Sequence, residues 1–146
     1  MKKNNSIDFL LEKIRTEQFA LFEENFDANL EISLNTQVEF KLNQKNKMVG
    51  SFVGFTFEQE KKILSKIEVS CHFRLTENSW NSFIDKEKSK IVIPKGFLAH
   101  LAAVTLGTTR GVLFSKTEGT PLNNLIIPML NISEIIQTDS EFLIEG

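Results

Sequence analysis

The sequence has 146 residues, 41% of them hydrophobic and 25% charged, with 17 basic against 19 acidic residues for a net charge of −2. That length fits a single domain over residues 1–146, and the interspersed, nearly balanced charge gives neither a basic footprint for nucleic acid nor a like-charged interaction tail. A lone cysteine, Cys71, excludes an internal disulfide framework and fits a reducing compartment.

The N-terminal run is interrupted by Asp8, Glu12 and Lys13, so no signal-peptide core forms. No uninterrupted apolar stretch approaches the roughly 18 residues that a membrane helix needs. A cytoplasmic chain without membrane insertion is the expectation. Residues 1–5 are polar and expected to form a flexible N-terminus. Ile7, Leu10, Leu11 and Ile14 then fall at i, i+3, i+4 and i+7, the spacing of a short helix that Ser6 could cap. A first strand is expected around residues 16–24, carrying Phe19 and Phe22.

The next three segments alternate with period 2. Leu30, Ile32, Leu34, Val38, Phe40 and Leu42 share one parity, opposite Glu31, Ser33, Gln37, Glu39 and Lys41. Val49, Val53, Phe55 and Phe57 repeat the pattern after a polar turn. So do Ile67, Val69, Cys71, Phe73 and Leu75 after a second turn. Short polar connections between half-buried strands predict an antiparallel meander with one apolar face to cover. Trp80 and Phe83 sit in a polar linker with room for a helical turn, and Ile91-Val92-Ile93 is a short β-branched run. Pro94 then opens a long, mostly apolar segment predicted as a helix to Lys116, across Gly107 and Gly111. Those glycines imply either a close backbone approach or a break, and a break would leave residues 111–115 as a strand. Pro121 and Pro128 bracket a loop with an extended portion at Leu125–Ile127. Residues 131–136 have room for a last helical turn. The predicted fold class is α+β: a four-stranded antiparallel meander sheet covered by a long helix.

Catalytic signatures are missing from the sequence. No nucleophile elbow, zinc-protease helix, Walker loop or dinucleotide fingerprint occurs. His72 and Cys71 are adjacent, so in a strand they point to opposite faces and do not share a metal. No enzyme activity, cofactor or metal is expected. Arg110 is read as a structural residue, pairing with an acid or capping carbonyls. Phe52 stands between Gly50 and Gly54 on the wet face of its strand. It is either a contact for an apolar ligand or another subunit, or part of a second packing layer. The composition, with 13 Phe, one Trp and no Tyr, favours apolar contact over hydroxyl-mediated recognition.

The order of parts resembles the SecB protein-export chaperone family. The residues that carry this are Val49 to Phe57, Ile63 to Leu75, Pro94 to Ser115, Thr120-Pro121, and Ile127-Pro128-Met129-Leu130-Asn131. Where that family usually has a Tyr-Ala-Arg-Glu-like stretch, Thr108-Thr109-Arg110-Gly111 keeps only the Arg. No long acidic tail follows Ile136. The resemblance is therefore to a divergent, SecB-like relative, and docking to the export motor does not carry over with it. It implies a non-enzymatic holdase that binds unfolded or partner polypeptide through apolar surfaces, as a homo-oligomer, dimer or tetramer. Phe19, Phe22, Phe26 and Phe52 are the expected contact residues. The alternative is an oligomeric structural or assembly protein that reuses the fold without binding clients.

Overall fold

The structure, a computed structural model, describes residues 6–145; the N-terminus expected to be flexible, residues 1–5, lies outside the described residues. Four strands, β1 (Phe9–Leu21), β2 (Ser33–Asn43), β3 (Met48–Gln59) and β4 (Lys62–Leu75), form one antiparallel sheet. β2, β3 and β4 make the expected meander. β1 returns to lie beside β4, so the spatial order is β1-β4-β3-β2, a Greek-key connection. A short helix α1 (Glu77–Ser82) follows, capped by the Thr76 hydroxyl, which accepts from the Ser79 amide. Then come β5 (Ile84–Asp85), β6 (Lys90–Ile93), the long helix α2 (Lys95–Lys116), α3 (Ile132–Ile135) and β7 (Ser140–Leu143).

β1 overturns the expected N-terminal helix over residues 7–14. Its residues opposite the covered side of β4 are Phe9, Leu11, Ile14, Thr16 and Phe19, facing Leu75, Phe73, Cys71, Val69 and Ile67. Irregularities between Leu11 and Lys13 and between Thr16 and Gln18 each insert one residue. The face of β1 on the same side as the buried face of β4 therefore advances by two residues, then three, then two, then three. A strand with two bulges imitates the i, i+3, i+4 spacing of a helix. Pairing with β4 decides the matter, because an isolated helix this short gains little on its own.

On β2 to β4 the predicted parity is what the structure has. Val49, Val53, Phe55, Phe57, Ile67, Val69, Cys71 and Phe73 are buried. The β3–β4 turn places Glu60 and Lys61 both at positive φ, 46° and 69°. That is the turn geometry matching strand twist, built here without glycine or asparagine.

α2 is one unbroken helix of 22 residues lying over β3 and β4. By length and composition it could cross a bilayer, but it lays Leu98, Leu101, Ala102, Thr105, Leu106 and Leu113 on the sheet. The buried hydroxyls of Thr105 and Thr109 donate back to the Leu101 and Thr105 carbonyls, at 2.8 and 2.7 Å, so they stay satisfied inside the core. The core runs as two apolar clusters. One gathers Phe55, Ile67, Leu106, Leu113, Leu122 and Ile127. The other gathers Phe73, Trp80, Ile91, Ile93, Phe97 and Leu101 under the start of α2. A second small sheet, β5-β6-β7, seals that end. β7 has no counterpart in the sequence reading: only Phe142 and Leu143 mark it, opposite Ile91 and Lys90.

Candidate functional site

Gly107, Arg110, Gly111 and Phe114 fall at i, i+3, i+4 and i+7, on one stripe of α2. That stripe points away from the sheet. The sequence reading asked the two glycines for a close backbone approach or a helix break, and neither occurs. A Cβ built at Gly107 or Gly111 would meet nothing within 4 Å. The missing side chains instead lower the floor of a groove.

The far wall is the chain that returns after α2. Thr120 caps a 3-10 turn at Pro121–Asn124, its hydroxyl accepting from the Leu122 amide at 3.2 Å. The following segment is extended. Leu125 and Ile127 alternate into the core, while Ile126 between them is 71% exposed. Arg110 holds this segment in place. Its Nε donates to the Ile127 carbonyl and its Nη2 to the Pro128 carbonyl, both at 3.0 Å. A planar fork suits two carbonyls in sequence, and charged donors make the stronger kind of hydrogen bond. Of the two expected partners, an acid or carbonyls near a helix break, Arg110 takes carbonyls, and they belong to the loop rather than to a break in α2. Asn123 Nδ2 adds a bond to the Phe114 carbonyl at 3.1 Å.

The groove enclosed by Gly107, Arg110, Gly111, Phe114, Leu125, Ile126 and Ile127 has a volume of about 440 Å³. Ile126 also lines a second hollow of about 340 Å³ with Ile32, Leu34, Phe57 and Pro128, beside β2. Phe114 is 56% exposed and Met129 95% exposed. Large apolar side chains around hollows on both sides of one extended segment are an uncommon surface for a monomer. β2 has no strand on its outer side among the described residues, so a line of backbone donors and acceptors lies next to the second hollow.

The expected contact residues are placed as follows. Phe19 and Phe26 lie against the first core cluster, half-buried, and the Lys116 ammonium sits over the Phe19 ring at 5.5 Å. Phe22, at the start of a 3-10 turn (Glu23–Asn25), is exposed. Phe52 is on the opposite, bare face of the sheet, edge-on to His72. The structure does not bring these four together. Phe114 and Ile126, which line the groove, were not among the expected contact residues. The available signals were the Gly107/Gly111/Phe114 stripe and the Leu125/Ile127 alternation that turns Ile126 outward.

Among the described residues no group of three or more His, Cys, Asp or Glu is placed to hold a metal ion. Cys71 is buried in the sheet, and the His100 ring stacks edge-on against Phe9 with centroids 5.8 Å apart.

The chain's parts are similar to those of two solved structures. One is a SecB-like chaperone of Mycobacterium tuberculosis, in complex with a ChAD peptide from the HigA1 antitoxin. It is 12% identical, with 84% of this chain and 90% of that one covered and a TM-score of 0.48. The other is a protein of unknown function from Streptococcus agalactiae, 14% identical over 86% of this chain and 99% of that one, with a TM-score of 0.38. No protein-family model matches the sequence, and no curated protein matches it.

Proposed function

We propose that the protein is a divergent SecB-like, non-enzymatic binder of polypeptide, a holdase that takes an extended, unfolded segment along α2 and the Leu125–Pro128 wall. The observation that carries this reading is the groove itself. It is lined mainly by apolar residues, floored by two glycines with free space above them, and held in shape by Arg110. Burying apolar side chains there needs no particular sequence, at roughly 25 cal/mol per Å² removed from water. The free edge of β2 supplies main-chain hydrogen bonds to the same segment.

Self-association belongs to the same proposal. β1 is a 13-residue edge strand with nothing beyond it among the described residues, and Leu10, Leu11 and Ile14 on it are exposed. Such an edge is an aggregation hazard unless covered, and a second copy covers it in the simplest way. Native mass spectrometry is expected to show a dimer or tetramer, and a monomer at micromolar concentration would remove this part.

Client binding is tested by light scattering from an aggregating, chemically unfolded protein. Suppression at equimolar chain is expected from the wild type. Gly107→Leu with Gly111→Leu fills the groove while improving helix propensity at both sites. That variant is expected to keep or raise its melting temperature and lose suppression. Absence of suppression by the wild type at molar excess sinks the reading.

A further inference from the structure

We propose that the bare face of the four-stranded sheet holds a second, separate site, for a small organic anion: a phosphate or carboxylate carried on an apolar group. A cavity of about 360 Å³ opens there, at the low end of the range for small-molecule sites. Lys13 and Arg15 reach it from β1, Lys41 from β2, Met48 and Phe52 from β3, and His72 from β4. Three permanent cations converge on this hollow in a chain of net charge −2. Neither Lys13 nor Lys41 pairs with a carboxylate among the described residues. Arg15 has a long contact of 3.9 Å to Glu17, whose carboxylate is already bound by the Ser70 hydroxyl at 2.7 Å.

Glycine at position 50 is what makes the hollow. A Cβ there would lie 2.9 Å from the Phe52 ring and 3.2 Å from His72 Nδ1. Without it, Phe52 folds down over the strand, edge-on to His72 with centroids 5.6 Å apart, and Lys41 Nζ sits 4.6 Å above the Phe52 ring. The tautomer of His72 follows from its neighbours. Ser70 has one hydroxyl proton, and it goes to Glu17. Ser70 Oγ, 2.9 Å from His72 Nε2, therefore accepts from that nitrogen. Neutral His72 carries its proton on Nε2 and turns a bare Nδ1 towards Gly50 and the cavity. Protonation converts Nδ1 from an acceptor to a donor facing the hollow, alongside Lys13, Arg15 and Lys41. Met48 and Phe52 supply the apolar wall against which the organic part of the ligand rests.

The basic region is short, which favours a small ligand over a polyanion. Glu39 lies opposite Phe52 in register, and Glu68 lies opposite Gly54 two residues further along β3. Arg74, at the other end, is engaged by Glu12 at 2.9 and 3.0 Å. A chain of phosphates running along the sheet would leave the cations and meet carboxylates within a few residues.

The test is titration of the full chain with phenyl phosphate, inorganic phosphate and benzyl alcohol. It is followed by calorimetry and by the ring resonances of His72 and Phe52. Phenyl phosphate is expected to bind more tightly than inorganic phosphate, and the neutral alcohol not at all. Bound phenyl phosphate should raise the apparent pKa of His72. The groups facing that ring are Lys13, Arg15 and Glu17 from β1, Lys41 and Glu39 from β2, and Glu68 and Arg74 on its own strand. Lys13→Ala and Lys41→Ala, both at exposed positions, should each weaken binding by about tenfold, ~1.4 kcal/mol, and leave the fold intact. Unmoved His72 and Phe52 resonances at millimolar phenyl phosphate overturn the proposal. So does binding that ignores both lysine variants, or a single-stranded oligonucleotide that outcompetes phenyl phosphate. The site lies across the sheet from α2, so its failure leaves the groove proposal standing and the reverse also holds.

Discussion

The two sides of α2 use the same 22 residues differently. Towards the sheet it presents Leu98, Leu101, Ala102, Leu106 and Leu113, fully or almost fully buried over β3 and β4. Away from the sheet it presents Gly107, Gly111 and the exposed ring of Phe114, beside the strap that Arg110 ties down. Neither glycine is required by a turn or a steric approach. A surface helix selected for stability alone would carry alanine there, at a gain of about 1 kcal/mol per site. The sheet side is packed into the core, and the outer side is weaker as helix and leaves the groove open.

The comparison breaks first at its buried side. Leu101→Ala removes a side chain that is fully enclosed in the second core cluster. A loss of about 3 kcal/mol is expected, from the lost transfer energy together with the cavity left behind. Chemical denaturation measures it. A loss under ~1 kcal/mol would mean that α2 does not seal the sheet as described.

A smaller effect is expected from Arg110→Ala. Two carbonyls lose a charged donor at a half-exposed position, where water replaces part of what is lost, so the cost is about 1–1.5 kcal/mol. The more telling readout is local. Amide exchange over residues 121–131 should speed up while β3 and β4 stay protected, and suppression of aggregation should fall because the groove has lost its wall. Uniform exchange across the chain would make Arg110 a global rather than a local tether.

Gly107→Ala runs in the opposite direction. The added methyl has open space, so the chain should gain about 0.8–1 kcal/mol. Client binding should weaken only slightly, because one methyl removes little of the groove. A destabilised Gly107→Ala variant would show that the glycine answers a packing need, and the contrast between the two sides of the helix would be lost.

Legibility in the sequence follows the same division. Period 2 over β2, β3 and β4 was readable because one face is buried and the other wet, so parity alone assigns each side chain. α2 was readable as a single helix because its buried positions recur at helical spacing through both glycines. β1 was not, since two bulges broke the parity that identifies a strand. β7 was not, because a four-residue edge strand with two apolar residues carries almost no period and is set by pairing with β6. The groove was half-legible. Its floor residues stand on one stripe of a predicted helix, but the wall exists only because Arg110 reaches 17 and 18 residues ahead to Ile127 and Pro128. No local pattern records such a contact. Of the expected contact residues, Phe19 and Phe26 pack on the first core cluster and Phe52 lies on the bare face of the sheet, while Phe114 lines the groove.

The smallest expected effect extends the contrast from the helix to the two faces of the sheet. On the covered face Cys71 is buried; one residue along β4, His72 faces the bare side. Burial lowers the pKa of His72 below 6.5, Glu17 pulls it back up, and Arg15 and Lys13 push it further down. A histidine with a depressed folded pKa takes up its proton later than the unfolded chain does as pH falls. Its contribution to stability is therefore complete above pH 6.5 and is lost as pH drops below 6.5 and through the folded value. His72→Gln keeps a polar side chain next to Ser70 and removes the titration. The wild type should lose melting temperature more steeply than His72→Gln as pH is lowered through this window, and the two curves should run parallel above it. Parallel curves throughout would place His72 in ordinary solvent rather than partly desolvated beside Gly50.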